Sequence, residues 1–462
     1  MNIFKLVLII IFIIVNYNNG NIILALNDPS KEVDCGDISG SSNQFFSVFN
    51  LAKQITISTP FTSTIAGASI STPKTSSNIN QSCEYYNSKN TVINAQKTTL
   101  GDQTKDIINS LSVQHYLLFN GSVTVSKGSN INISCNDLNN NECFKTNILD
   151  LSGKLLISNK LSNVNVQSDI NISKTGILTT SSSSSLDSYP TQPKITSQNN
   201  INNNGGTIQV NQPLSITTKL LNINSNGIFN INAFSSINSP IDIKGSSQLN
   251  VNYESNIASD LNVYDNSIVK VQNIKLDNEK SSFNSNGANT ISVTNFLSNG
   301  LLNINQSNVQ VKSMFNMGSS SVVNILNNGG FFSNNNINIS GSFNMENGFF
   351  SSYIGDFLLK DNSVFTTKSS NININSAFSS HGDSLFENNN CNNFAILSLD
   401  FKMNDNSKLK FGNCKEIQIE SISSVLSNNA EFHILQKSKV MANSPFTLND
   451  QSKLLINENS QH

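Results

Sequence analysis

A short register recurs at a nearly fixed interval in this chain: a small residue, any residue, then an apolar one. Counted from Gly300 it returns at Ser321, Ser342, Ser363, Ser384, Ser407, Ala430 and Ser452, with gaps of 21, 21, 21, 21, 23, 23 and 22 residues. Upstream the same register fits Gly121, Gly153, Gly176, Gly206, Gly227, Ser247 and Ser267. Three gaps are long, at 32 residues before Gly153, 30 before Gly206 and 33 before Gly300, each about one repeat plus ten residues. A unit this short cannot bury an apolar face alone, so successive units must stack on one another.

Each register residue is followed by apolar residues two apart, the spacing that places both on one face of a strand. Leu302 and Ile304, Val323 and Ile325, Leu409 and Phe411, and Phe432 and Ile434 are such pairs, with Asn or another polar residue between them in most cases. Asp265-Asn266, Asp361-Asn362, Asp405-Asn406 and Asp450-Gln451 precede the register, and these side chains favour turns. Two further apolar clusters follow in each repeat, such as Ile372 with Ile374 and then Phe357 to Leu359 in the neighbouring unit. Three short strands and three turns in 21 to 23 residues make one coil of a β-solenoid.

This pattern resembles the single-stranded right-handed parallel β-helix of the pectin-lyase-like group, in the Asn- and Ser-rich form known from secreted repeat proteins of social amoebae. The resemblance lies in period and strand pattern over residues 121–462. It implies an all-β fold of about 15 coils, with inward side chains forming the core and an N-terminal cap region.

The organisation expected is therefore a signal peptide at 1–20, an N-terminal cap or irregular β region at 21–120, and the repeat domain at 121–462. Lys5 followed by the apolar run at 6–15 has the layout of a secretory signal. That run is too short for a bilayer, which takes about 20 apolar residues. Residues 27–120 fit the register poorly, and the three long gaps read as loops leaving the coil.

Composition narrows the function classes. Charged residues are 13% of the chain and the net charge is −2, with no basic run, so nothing is present to neutralise a phosphate backbone and nucleic acid is not an expected partner. The 81 Asn and 73 Ser of the 462 residues suit a stacked architecture, because like side chains in successive coils can bond in ladders. The later Phe residues (343, 365, 378, 386, 394, 411 and 432) are placed to stack in the bore.

Six cysteines in a chain bound for an oxidising compartment read as three disulfides. Sequence neighbourhood pairs Cys35 with Cys83, Cys135 with Cys143 and Cys391 with Cys414, among 15 possible connectivities. Acceptor sequences for N-glycosylation fall at Asn80, Asn120, Asn132, Asn171, Asn305 and Asn338. No metal site and no cofactor is expected, since there is no Cys-x-x-Cys and the four histidines are scattered.

Catalytic chemistry has one weak foothold, His381 with Asp383, which could act as an acid/base pair. Asp361 and Asp405, about one coil away on either side, and Lys360 or Lys402 would complete a groove of the kind the pectin-lyase-like resemblance implies. All three aspartates precede a register serine, which reads as a repeated turn corner. The expectation is a secreted extracellular structural or adhesive protein with no catalytic activity, meeting a glycan or a cell-surface protein, with no membrane span after signal removal. A polysaccharide lyase or hydrolase is the alternative.

Overall fold

In a computed structural model, the chain is an all-β parallel β-solenoid of about 14 turns. The structure describes seven short strands between residues 31 and 100 by their backbone course. Beyond them it describes residues 109–457, leaving out 115, 136–141, 160, 182–191, 253–254, 258–259, 277–278, 288–289, 392 and 436–437. The expected signal peptide at 1–20 lies outside the described residues. Two compact units divide at Phe234 and Ser235.

In the first unit each coil runs through three strands, which we place on faces A, B and C. Ser122–Val125, Leu149–Leu151, Ile170–Ile172, Asn200–Asn204 and Leu220–Asn224 stack in parallel on face A. Asn130–Ile133, Lys154–Ile157, Ile177–Thr180, Thr207–Val210 and Ile228–Ile231 stack on face B. Phe144–Thr146, Val164–Val166, Lys194–Ser197 and Leu214–Thr217 form face C. Parallel pairing also reaches upstream of Gly121, where Cys83–Asn87 pairs with Asn109–Val113 and Lys97–Leu100 with Ser122–Val125.

In the second unit face A carries the register strands, among them Leu301–Asn305, Val322–Leu326, Ser342–Glu346 and Val364–Lys368. Faces B and C merge in several coils into one long strand, as in Asn308–Met317, Asn393–Met403 and Ile417–Leu426. Strand alternation explains the core directly. Leu302 and Ile304 point inward and are fully buried, while Leu301, Asn303 and Asn305 are half-buried on the outer face. Inside, Phe343, Phe365 and Phe386 form one stack, with centroids 4.5 and 4.7 Å apart. Phe357, Phe378 and Phe401 form a second stack at 5.6 and 5.1 Å. Parallel in-register strands put like side chains one strand spacing apart, so aromatic rings continue from coil to coil.

The strand register corrects three points of the sequence reading. Ser342 is not in the small-residue column: Val322 stands against Ser342 and Ser342 against Val364, which puts Gly341 in line with Ser321 and Ser363. Stacked face A positions Leu301, Val322, Ser342, Val364, Leu385, Lys408, Glu431 and Lys453 are spaced by 21, 20, 22, 21, 23, 23 and 22 residues. A glycine stands at 341 for a physical reason, because a Cβ there would come 2.3 Å from the carbonyl oxygen of Ser321.

The long gap before Gly300 is not a loop. Ser267 opens a face B strand whose column continues through Thr290–Ser298 to Asn308–Met317, so its stacked equivalent is Ser307, whereas Gly300 opens a face A strand. The register had jumped from one corner to another.

The gap before Gly153 contains the same jump, since Gly121 opens a face A strand and the face B partner of Gly153 is Ser129. That coil is also longer than its neighbours, with Cys135 and Cys143 in it and stacked Val123 and Leu149 26 residues apart. The gap before Gly206 is a single coil, since Ile177 stands against Thr207 on face B, and it contains residues 182–191, outside the described set.

Candidate functional site

The His381 and Asp383 candidates sit on the corner between faces C and A, at the turn after Ala377–Ser380. His381 Nδ1 lies 3.1 Å from Asn404 Nδ2, one coil on. Asp383 Oδ1 accepts from Asn406 Nδ2 at 2.8 Å, and Asn429 Nδ2 in turn donates to Asn406 Oδ1 at 3.0 Å. Asp405 accepts the backbone N–H of Gly382 at 3.1 Å on one oxygen and Asn428 Nδ2 at 3.1 Å on the other. Asp450 accepts the backbone N–H of Asn428 at 3.1 Å.

These carboxylates are therefore staples between successive turns. Asp361, Asp405, Asn428 and Asp450 also adopt left-handed backbone there, φ 57 to 60°, a conformation Asn and Asp tolerate because their short side chains bond locally. The residues are strung along a turn edge, one coil apart, rather than gathered round one point. Lys402 is engaged elsewhere, 3.1 Å from Asp400.

Two of the three expected disulfides are formed, Cys135 with Cys143 and Cys391 with Cys414. The second joins the same corner of adjacent coils, with Cα atoms 4.5 Å apart and both side chains buried. The pairing of Cys35 with Cys83 lies outside the described side chains, as does Asn80. No helix among the described residues is long and apolar enough to cross a membrane.

The other acceptor asparagines take different places. Asn120 is exposed in the turn before Ser122–Val125. Asn132 accepts from Ser158 Oγ at 2.8 Å. Asn171, Asn305 and Asn338 each donate Nδ2 to a side-chain oxygen of the preceding coil, Asp150, Asn286 and Asn316, at 2.8, 3.1 and 2.7 Å.

Coil-to-coil amide bonds of this kind recur over the outer surface, a feature sequence reasoning foresaw in kind but did not locate. On face A of the second unit, Asn262 donates to Asp242, Asn284 to Asn262, Asn303 to Asn284, Asn324 to Asn303 and Asn344 to Asn324, over 2.7 to 3.1 Å. Thr366 Oγ1 closes the series on Asn344 Oδ1 at 2.7 Å. The first unit has a shorter version, Asn222 to Asn202 to Asn171 to Asp150.

Both ladders begin at an aspartate, and the chemistry fits: every amide donates toward the preceding coil, so the first rung needs only to accept, which a carboxylate does. Asp242 also holds Lys244 Nζ at 2.9 Å, and that hydrogen bond raises the Lys244 pKa.

Beyond Thr366 the outer face turns from amide to charge. Glu431 receives His433 Nε2 at 3.0 Å, Lys408 at 3.3 Å and Lys453 at 3.5 Å. The His433 hydrogen bond first, then Lys408, lower its pKa to about 2. The signal for the amide region was present in the sequence as Asn between the paired apolar positions, whereas in the charged region Lys408, Glu431 and Lys453 stand just before the apolar pair and, of this cluster, only His433 lies between its members. No group of three or more His, Cys, Asp or Glu placed to hold a metal occurs among the described residues. The chain matches no family model, no curated protein and no solved structure.

Proposed function

We propose that this chain is a secreted extracellular protein with a structural or adhesive role and no catalytic activity. The observation that carries the reading is the amide ladder of face A. It turns one outer surface of the solenoid into a regular polar ribbon, and weak contacts repeated along such a ribbon add up as multivalent binding does. Two disulfides within the repeat suit an oxidising compartment. The hydrogen bonds that engage both oxygens of Asp405, and the use of Asp383 and His381 as turn staples, support the non-catalytic reading over a pectin-lyase-like enzyme.

The proposed partners are an extracellular glycan or a cell-surface protein. The test is expression of the whole chain in a eukaryotic secretory host. The culture medium is examined for processed, disulfide-bonded protein, its retention on cells and matrix is measured, and a panel of polysaccharides is assayed for unsaturated or reducing products. Retention without turnover is the expected result, and product formation that disappears in His381→Ala or Asp383→Asn would replace this reading with the enzymatic one.

A further inference from the structure

The amide ladder does not stand alone on face A. Immediately beside it runs a second outward column that is mostly aliphatic. Leu301 stands against Val322, Val322 against Ser342 and Ser342 against Val364, and all four are half-buried. The paired column two residues along each strand is Asn303, Asn324, Asn344 and Thr366. Over these four coils neither column carries an ionisable side chain, and the ion pair at the flank, Glu346 with Lys368 at 2.9 Å, is satisfied within itself.

A primary amide has two N–H donors and two acceptor lone pairs. Asn303 and Asn324 each spend one donor and one lone pair on their ladder neighbours. One donor and one acceptor per rung are left over on a half-exposed side chain, repeating at the strand spacing of about 4.8 Å. The surface is thus a ribbon with an apolar edge and an amide edge, neutral throughout, with a repeat along the stacking direction.

We propose that this ribbon is a binding site for a neutral β-1,4-linked glycan lying along the stacking direction. Such a polymer has the complementary chemistry. Its rings present C–H faces that lie against Leu301, Val322 and Val364, and its equatorial hydroxyls both donate and accept, matching the spare groups of Asn303, Asn324 and Asn344. Its advance per sugar is close to the strand spacing of about 4.8 Å, and alternate rings are turned over by the β-1,4 linkage, so every second sugar meets its coil in an equivalent setting along this short ribbon. An acidic polysaccharide gains no counter-charge here and would leave its carboxylates desolvated against an apolar edge. The proposal names the ligand class for the adhesive reading above and rests on it.

The experiment uses the full chain, with microcrystalline cellulose and chitin as neutral probes and polygalacturonate as the acidic one, in a sedimentation binding assay. Native protein is expected to be retained on at least one neutral polymer and to bind polygalacturonate at least tenfold more weakly. Val322→Lys and Asn324→Ala are expected to weaken retention on the neutral polymer at least tenfold. Asn295→Ala removes a comparable ladder bond to Asn273 away from this ribbon and is expected to stay within twofold of the native chain.

Far-ultraviolet circular dichroism and melting temperature identify the variants that keep the fold. Folded native protein that ignores both neutral polymers, or folded Val322→Lys and Asn324→Ala that bind like the native chain, would overturn the proposal, as would preference for polygalacturonate. Retention on cells and matrix together with any of those results would leave the adhesive reading standing and remove only its ligand.

Discussion

The side-chain amide of Asn324 donates to Oδ1 of Asn303 across 2.9 Å, and the same Asn324 accepts from Asn344 at 3.1 Å. One residue thus joins three consecutive coils. Replacing it with alanine removes both bonds and leaves their partners half-exposed to water, so the cost is expected at about 1 kcal/mol per bond, about 2 in all. Asn224, whose amide makes an exposed bond to Asn204 at 3.4 Å from within an ordinary strand, should cost less than about 0.5 kcal/mol on the same change. Urea denaturation of the two variants, read at the transition midpoint, checks the order; equal losses would mean the inner ladder contributes nothing special.

The column assignment at the Ser321 corner makes a sharper contrast between adjacent residues. Gly341→Ala forces a Cβ to within 2.3 Å of the Ser321 carbonyl oxygen and 2.6 Å of that of Gly318, so backbone must shift. A loss of roughly 1–3 kcal/mol is expected, as for an overpacked site. Ser342→Val places a strand-favouring residue on the outer face between Val322 and Val364 and should fall within about 0.5 kcal/mol of the native chain. Thermal unfolding of the pair decides whether the corner belongs to residue 341 or 342.

Removing the Cys391–Cys414 bridge by double substitution to serine should destabilise by about 3 kcal/mol on the chain-entropy model for a 23-residue separation. The Cys135–Cys143 bridge closes a separation of 8 and should cost less, about 2.5 kcal/mol. Guanidinium unfolding of each double variant under non-reducing conditions gives both numbers; a larger loss at the shorter bridge would show that local packing, not loop closure, governs.

Glu431 provides a pH signature. Its folded-state pKa is lowered from 4.5 to about 2 by His433 and Lys408. The stabilisation it provides is therefore complete above pH about 4.5 and is lost as pH falls toward 2. Because the group is partly open to solvent, the effect should stay below about 1 kcal/mol. Glu431→Gln should lower the urea midpoint at pH 6 and match the native chain at pH 2, with the two curves converging between those values.

The sequence by itself determined that this chain stacks coils. A repeat of 21 to 23 residues, with apolar side chains two apart, permits little else, because each unit must borrow its neighbour to cover its core. It also placed most of the stacked Phe residues on the inward face and suggested, among 15 connectivities, the two disulfide pairs that the structure forms. The alternation of strands fixes which side chains turn inward, and cysteines near one another in sequence came to lie at neighbouring corners or across one short excursion.

Only the tertiary structure decided which corner each small residue occupies. Gly300 and Ser267 look alike as residues, since every tight corner of a coil wants a small side chain, yet they open strands on different faces. Gly341 and Ser342 are both small, and only cross-strand pairing shows which one is turned into the corner. The same holds for His381 and Asp383. Their nearness in sequence suggested chemistry, while the hydrogen bonds that engage them come from Asn404 and Asn406 in the next coil, a contact that exists only once the coils have stacked.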